Sequence, residues 1–142
     1  MNYVIFLLLA GLAGFGFWRL TRYFWLKIFY RCRGVKDVDV QTAYEWQNKC
    51  GAFVLDVREP QEYEEAHVDG VTLIPVGQLA ARVNEIESER DKQVLIICRG
   101  GVRSARACLI LAERGFQQPI NIVGGMNDWK RQQLPVVAGR CA

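Results

Sequence analysis

Cys98 carries the strongest signal for covalent chemistry in this chain. It stands in VLIICRGGVRSARACLILAERG, between an apolar run at 93–97 and a segment of helical spacing from Val102 onward. A thiol there sits at the end of a buried strand, where a loop leads into a helix. Gly100 and Gly101 permit backbone dihedrals that other residues resist, so the N–H groups of residues 99–104 can turn inward around the sulfur. Those donors, the positive end of the following helix and the cations Arg99 and Arg103 all favour the thiolate. A cysteine so activated is a nucleophile. Taken without its loop, Cys98 would read as a small buried hydrophobe. Cys108 shows the contrast, because it lies beside the apolar face of the same helix and reads as core.

The elements that would hold such a loop alternate along the chain. Residues 40–49 have helical spacing in Val40, Ala43, Tyr44 and Trp46, with Asp39 as N-cap and Gly51 as the stop. Residues 52–57 form a short apolar run ending at Asp56, suited to a buried strand. Pro60 opens a helix over 59–66 whose acids lie in its first turns, and the acids Glu59 to Glu65 read as a solvated face. Residues 71–75 are a further strand, and 78–89 an amphipathic helix using Leu79, Val83 and Ile86. The strand at 93–97 is the most apolar. The helix over 102–114 directs Val102, Ala105, Leu109 and Ala112 inward and stops at Gly115. A last strand at 119–123 precedes Gly124-Gly125 and a short helix at 127–132. This alternation predicts an α/β fold with a mainly parallel sheet and helices on both faces, with ligands collecting at the carboxyl ends of the strands.

The chain has 142 residues and a net charge of +3, but that charge is unevenly spread. Residues 1–33 hold ten of the sixteen aromatics, five cations and no acid. The remainder is slightly acidic, which disfavours a nucleic-acid-binding globule. No charge occurs before Arg19, and the apolar run 3–18 reads YVIFLLLAGLAGFGFW. Eighteen helical residues span about 27 Å, slightly less than a bilayer core, and snorkelling of Arg19 and Arg22 extends the reach. Residues 1–20 are therefore expected to anchor the chain in a lipid bilayer as a single-pass helix. Residues 21–34 form a basic, aromatic juxtamembrane segment, and 35–142 the catalytic domain. Cations on the C-terminal flank alone place that domain in the cytoplasm. A cleaved signal peptide would want a basic start, which Met1-Asn2 lacks. A buried core helix is disfavoured because the stretch shows no polar face at helical spacing, and an interfacial helix over 19–31 is the third alternative. Ala10 and Gly14 form a small-xxx-small pair through which two anchors could pair as a homodimer.

Five scattered cysteines with no C-x-x-C pair, and His67 as the sole histidine, exclude a zinc-type metal centre and point to a reducing compartment. Cys32, near the expected membrane surface, carries no lipidation motif, and Cys50 and Cys141 carry no functional signal.

Three blocks in order, VLDVREPQEYEEAHVDGVTLIPVGQL, VLIICRGGVRSARA and INIVGGMNDWKRQQLPV, resemble the rhodanese family of sulfurtransferases over residues 35 to about 137. The loop Cys98-Arg99-Gly100-Gly101-Val102-Arg103 is similar to the C-R-x-G-x-R form of single-domain members. The resemblance implies a rhodanese-like three-layer fold and a two-step transfer without metal or organic cofactor. Cys98 would take a sulfane sulfur from a small donor such as thiosulfate, and the persulfide would pass it to cyanide, a thiol or a protein. It also implies that Arg99, Gly100, Gly101, Val102, Arg103 and Ser104 bind substrate. Asp56 and Arg58, in a D-x-R pattern, would orient the loop or touch substrate, or else form a structural ion pair. His67 reads as a satisfied turn residue and Trp129 as packing. A phosphatase loop would be C-x5-R, whereas here the sixth residue after Cys98 is Ser104 and the arginine comes one earlier. No G-x4-G-K-[ST] phosphate loop occurs. From another class, a membrane-tethered persulfide carrier or docking module would keep the same loop.

Overall fold

The structure is a computed structural model, described over residues 35–139. Five parallel strands form one sheet: β1 (Lys36–Val38), β2 (Phe53–Asp56), β3 (Thr72–Leu73), β4 (Gln93–Ile97) and β5 (Gln118–Ile122), in the order β1-β5-β4-β2-β3. β4 lies at the centre, paired with β2 and β5, and after Gln93 every residue of it is buried. A parallel strand covered on both faces reads as a continuous apolar run, as this one does.

The helices are α1 (Val40–Cys50), α2 (Pro60–Glu65), α3 (Leu79–Arg82), α4 (Val102–Glu113) and α5 (Gly125–Arg131). Val40 and Ala43 of α1, Tyr63 of α2, and Met126 and Trp129 of α5 share a core with Val54, Leu95, Ile97, Ile120 and Ile122 of the sheet. Strand side chains alternate between faces, so Leu55 and Ile96 turn the other way, toward the side that α3 and α4 cover. The caps follow the sequence: Asp39 Oδ1 accepts the Thr42 N–H at 2.7 Å, and Gly51 closes α1 at φ 63°.

Three expectations are corrected, and one strand had no counterpart among them. The helix expected over 78–89 divides into α3 and a 3₁₀ segment, Val83–Glu89, with Ile86 outside helical geometry at φ −117°. Val83 and Ile86, three apart and both buried, fit the threefold period of that segment. The strand expected over 71–75 pairs only at Thr72 and Leu73. β1 went unread because its KDV is too short and too charged for a hydrophobic pattern. The buried stripe of α4 is Ser104, Ala107, Cys108 and Leu111, rotated from the predicted one, and Val102 is 82 % exposed at the loop tip.

The expected anchor at 1–20 and the segment 21–34 lie outside the described residues. Among the described residues no helix is long and apolar enough to cross a membrane.

Candidate active site

β4 delivers Cys98 to the carboxyl edge of the sheet, and α4 begins four residues later. The turn between them needs glycine at one position, and the α5 N-terminus that packs against it needs another. Gly101 adopts φ 95° with Gly124 N only 3.2 Å from where a Cβ would stand. Gly125 opens α5 against the loop, and a Cβ there would meet the Cys98 carbonyl oxygen and the Arg99 backbone. That close approach lets the Met126 N–H donate to the Cys98 carbonyl at 2.8 Å and the Asn127 N–H to the Arg99 carbonyl at 3.0 Å. The first turn of α5 thereby clamps the loop from below.

Inside the turn the Gly101 N–H donates to Cys98 Sγ at 3.1 Å, and the Ser104 hydroxyl lies 3.3 Å from the same sulfur. Burial by itself pushes the thiol up. The Ser104 hydroxyl and the backbone N–H groups of Ser104, Gly101 and Gly100 outweigh it, so the pKa falls below the ordinary thiol value. Cys98 is 1 % exposed. Among the described residues no group of His, Cys, Asp and Glu could hold a metal ion.

Ser104 also contacts Asn121 Oδ1 on β5 at 2.7 Å, and Asn121 Nδ2 donates to Asp37 Oδ1 on β1 at 2.9 Å. Sequence reading passed over Asn121, though a lone polar residue inside the buried run PINIV was the available signal. Glu62 was also missed, having been read as part of a solvated face. Its carboxylate takes two bonds of 2.7 Å from the Arg103 guanidinium, and these hold it at about 2, well below the usual carboxylate range. Arg103 is therefore charge-matched. Arg99 is exposed, and its side chain has no hydrogen bond or ion pair among the described residues.

Asp56 and Arg58 form a buried pair with Nη2 to Oδ2 at 2.6 Å. Arg58 further donates to the carbonyls of Glu62 and Ala66 at 2.9 and 3.0 Å, tying the end of β2 to α2. Since α2 carries Glu62, this pair supports the Arg103 contact at one remove. His67 is buried, stacked on Tyr63, with Nδ1 2.8 Å from the Tyr63 carbonyl. Trp129 is core and donates to the Pro135 carbonyl, and Cys108 is fully buried on α4.

Comparison with known proteins agrees with this architecture. The rhodanese-like domain family matches residues 39–132. A candidate sulfur carrier protein of Bacillus subtilis is 47% identical over 76 residues, 54% of this chain and 40% of that protein, so the chain spans well under half its length. A thiosulfate sulfurtransferase of Vibrio cholerae is 30% identical over 101 residues, covering 71% of this chain and 93% of that protein. A crystal structure of a rhodanese-related protein from Thermoplasma volcanium superposes with a TM-score of 0.62 at 31% identity, covering 72% of this chain and 97% of that one. With the cysteine loop seated at the carboxyl edge of a parallel α/β sheet and a family match across most of the described residues, this chain belongs to the rhodanese family.

Proposed function

We propose that the domain is a sulfurtransferase working through a persulfide on Cys98. The thiolate attacks the outer sulfur of a donor such as thiosulfate. A new S–S bond forms as the donor's S–S bond breaks, and sulfite departs with the electron pair. A thiophilic acceptor, cyanide, a thiol or a protein, then takes the outer sulfur and releases the Cys98 thiolate. The observation that carries the reading is the convergence of backbone N–H groups and the Ser104 hydroxyl on one buried sulfur. The backbone N–H groups, already oriented toward Sγ, stabilise the thiolate that the second step releases, and covalent capture splits one hard transfer into two easier ones. Arg99 draws the anionic donor, while Gly100 and Val102 line the approach. Arg103, matched by Glu62, shapes the loop more than it attracts charge.

The test uses the full-length chain. Turnover of thiosulfate and cyanide that vanishes in Cys98→Ser, with one added sulfur on the Cys98 peptide by mass spectrometry, supports the reading. Absence of added sulfur after treatment with thiosulfate or a persulfide donor overturns it. A carrier is the second reading, favoured by the near-complete enclosure of Cys98 and the likeness to the Bacillus protein. A persulfide that forms but passes only to one protein partner decides for it.

We further propose that residues 1–20 anchor the chain in a bilayer with the domain on the cytoplasmic side. The uncharged run before Arg19, followed by Arg19, Arg22, Lys27, Arg31 and Arg33, supports this. A reporter fused at the C-terminus and found outside the cytoplasm would overturn it.

A further inference from the structure

Ser104 has one hydroxyl proton and two acceptors within reach. Asn121 Oδ1 lies 2.7 Å away and Cys98 Sγ 3.3 Å away. A hydroxyl donates one hydrogen bond only, so the two acceptors compete for it. The orientation of the Asn121 amide decides how strongly Asn121 competes. Asn121 is 5 % exposed on β5, and the parallel register sets it beside Asp37 of β1. Asp37 Oδ1 accepts from Asn121 Nδ2 at 2.9 Å. A carboxylate cannot donate, so it holds the NH₂ on its own side and turns the amide oxygen toward Ser104.

We propose that Asp37 and Asn121 are positioning residues for Cys98: they hold the Ser104 hydroxyl proton away from the resting thiol and release it to the sulfur when the thiol ionises. In the thiol state Ser104 donates to Asn121, and its oxygen accepts the thiol hydrogen. On ionisation that hydrogen passes to solvent, and the hydroxyl turns to donate to the sulfur, leaving Asn121 Oδ1 without it. Asp37 and Asn121 thus oppose thiolate formation, whereas Ser104 favours it. When the outer sulfur is added, the charge moves outward from Sγ and the hydroxyl returns to Asn121. The relay rests on the sulfurtransferase reading for its purpose, but its existence is a matter of where a proton sits.

Among the described residues, charged groups from several elements bear on the thiol. Arg103 of α4 is attracted to the sulfur and paired with Glu62 of α2. Arg99 is exposed beside it, and Asp56 and Arg58 at the end of β2 neutralise one another. Asp37 of β1 is linked to the sulfur through Asn121 and Ser104.

The experiment follows the rate of iodoacetamide alkylation of Cys98 against pH in the full-length chain, read by mass spectrometry of the peptide carrying it. Asp37→Ala frees the amide to turn its NH₂ toward Ser104, and Asn121→Leu removes the competing acceptor. Both are expected to move the midpoint down by about half a pH unit to one unit, the worth of one hydrogen bond. Ser104→Ala is expected to move it up by a similar amount. Asp37→Asn keeps an acceptor but adds a donor, so it holds the Asn121 amide less firmly, and its midpoint should fall between wild type and Asp37→Ala. In a Ser104→Ala background Asp37→Ala should have no effect, because the link is then cut. The proposal is overturned if Asp37→Ala keeps its effect without Ser104, which would indicate charge alone, or if neither Asp37→Ala nor Asn121→Leu lowers the midpoint. Should Asn121→Leu fail to fold, the arm at Asp37, an exposed residue, decides. Sulfur transfer is not the readout, so loss of the sulfurtransferase reading and loss of the relay are seen separately.

Discussion

The Glu62 carboxylate and the Arg103 guanidinium meet through two parallel bonds of 2.7 Å, linking α2 to the first turn of α4 across 41 positions of sequence. A fork-to-fork contact of this kind fixes direction as well as charge. It anchors the outer end of the cysteine loop to a helix that Arg58 in turn ties to the sheet. It also leaves Arg99 as the exposed cation of the loop.

This pair predicts an acid dependence of stability. The Glu62 carboxyl is lowered from 4.5 to about 2, mainly by its hydrogen bonds from Arg103. A depressed acid stabilises the fold above its unfolded value, so the contribution is complete above about pH 4.5 and is lost as pH falls through about 2. After solvent screening of a part-exposed pair it amounts to about 1–2 kcal/mol. Urea denaturation at pH 7 and pH 3 should show Glu62→Gln less stable than wild type at pH 7, with the gap narrowing at pH 3. The same variant unpairs Arg103, and the KM for thiosulfate should fall by about twofold to fivefold.

Persulfide formation should rise with pH and level off below the range of an ordinary thiol, because the donors around Cys98 favour its ionised form. The linked stability has the same sign. A lowered thiol pKa adds stability as pH rises through it and withdraws that stability as pH falls. Single-turnover rates between pH 5 and 10 measure the first effect, and the difference in stability between wild type and Cys98→Ser across that range measures the second.

Gly125→Ala should damage the site more than its size suggests. Its φ is 54°, and the added methyl would meet the backbone of Cys98 and Arg99. Strain at such a position costs about 1–3 kcal/mol. The loop can relieve it only by moving off the α5 N-terminus, so thiosulfate turnover should fall further than the melting temperature alone accounts for.

Arg58→Ala strands the buried Asp56 carboxylate and two carbonyls that Arg58 satisfies. Breaking one side of a buried pair costs about 3–5 kcal/mol. The expected result is a large fall in denaturation midpoint with little change in KM for the molecules that remain folded. A raised KM at unchanged stability would place Arg58 on the substrate instead.

Val102 stands at the loop tip with most of its surface in water. Val102→Ser should change stability by less than about 0.5 kcal/mol. If a protein acceptor docks over the loop, transfer to that acceptor should slow while transfer to cyanide stays unchanged.

Much of this was legible in one dimension. The apolar runs of β2, β4 and β5, the Asp39 cap, the Gly51 stop and the CRGGVRS loop each depend on neighbours within a few residues, and local spacing encodes such features. Periodicity failed where the determinant was not local. Val102 has helical spacing with Ala105 and Leu109, yet the face that α4 buries is chosen by the sheet beneath it, and that face carries Ser104. β1 is a strand because β5 offers it an edge, which no property of KDV announces. Glu62 looks like any solvated acid until α2 is laid beside the loop.

Residue types and their spacing sufficed to single out Cys98 as the candidate nucleophile, the glycines that let a loop bend around it and the alternation that puts that loop at a strand end. Which charges are spent on one another, and which polar side chains reach the sulfur, came from the packing of the chain in space. Arg103 is paired 41 residues away and Asn121 is held by Asp37 from 84 residues away. A hydrogen bond depends on distance and angle in space, and the packing of separate strands and helices sets both.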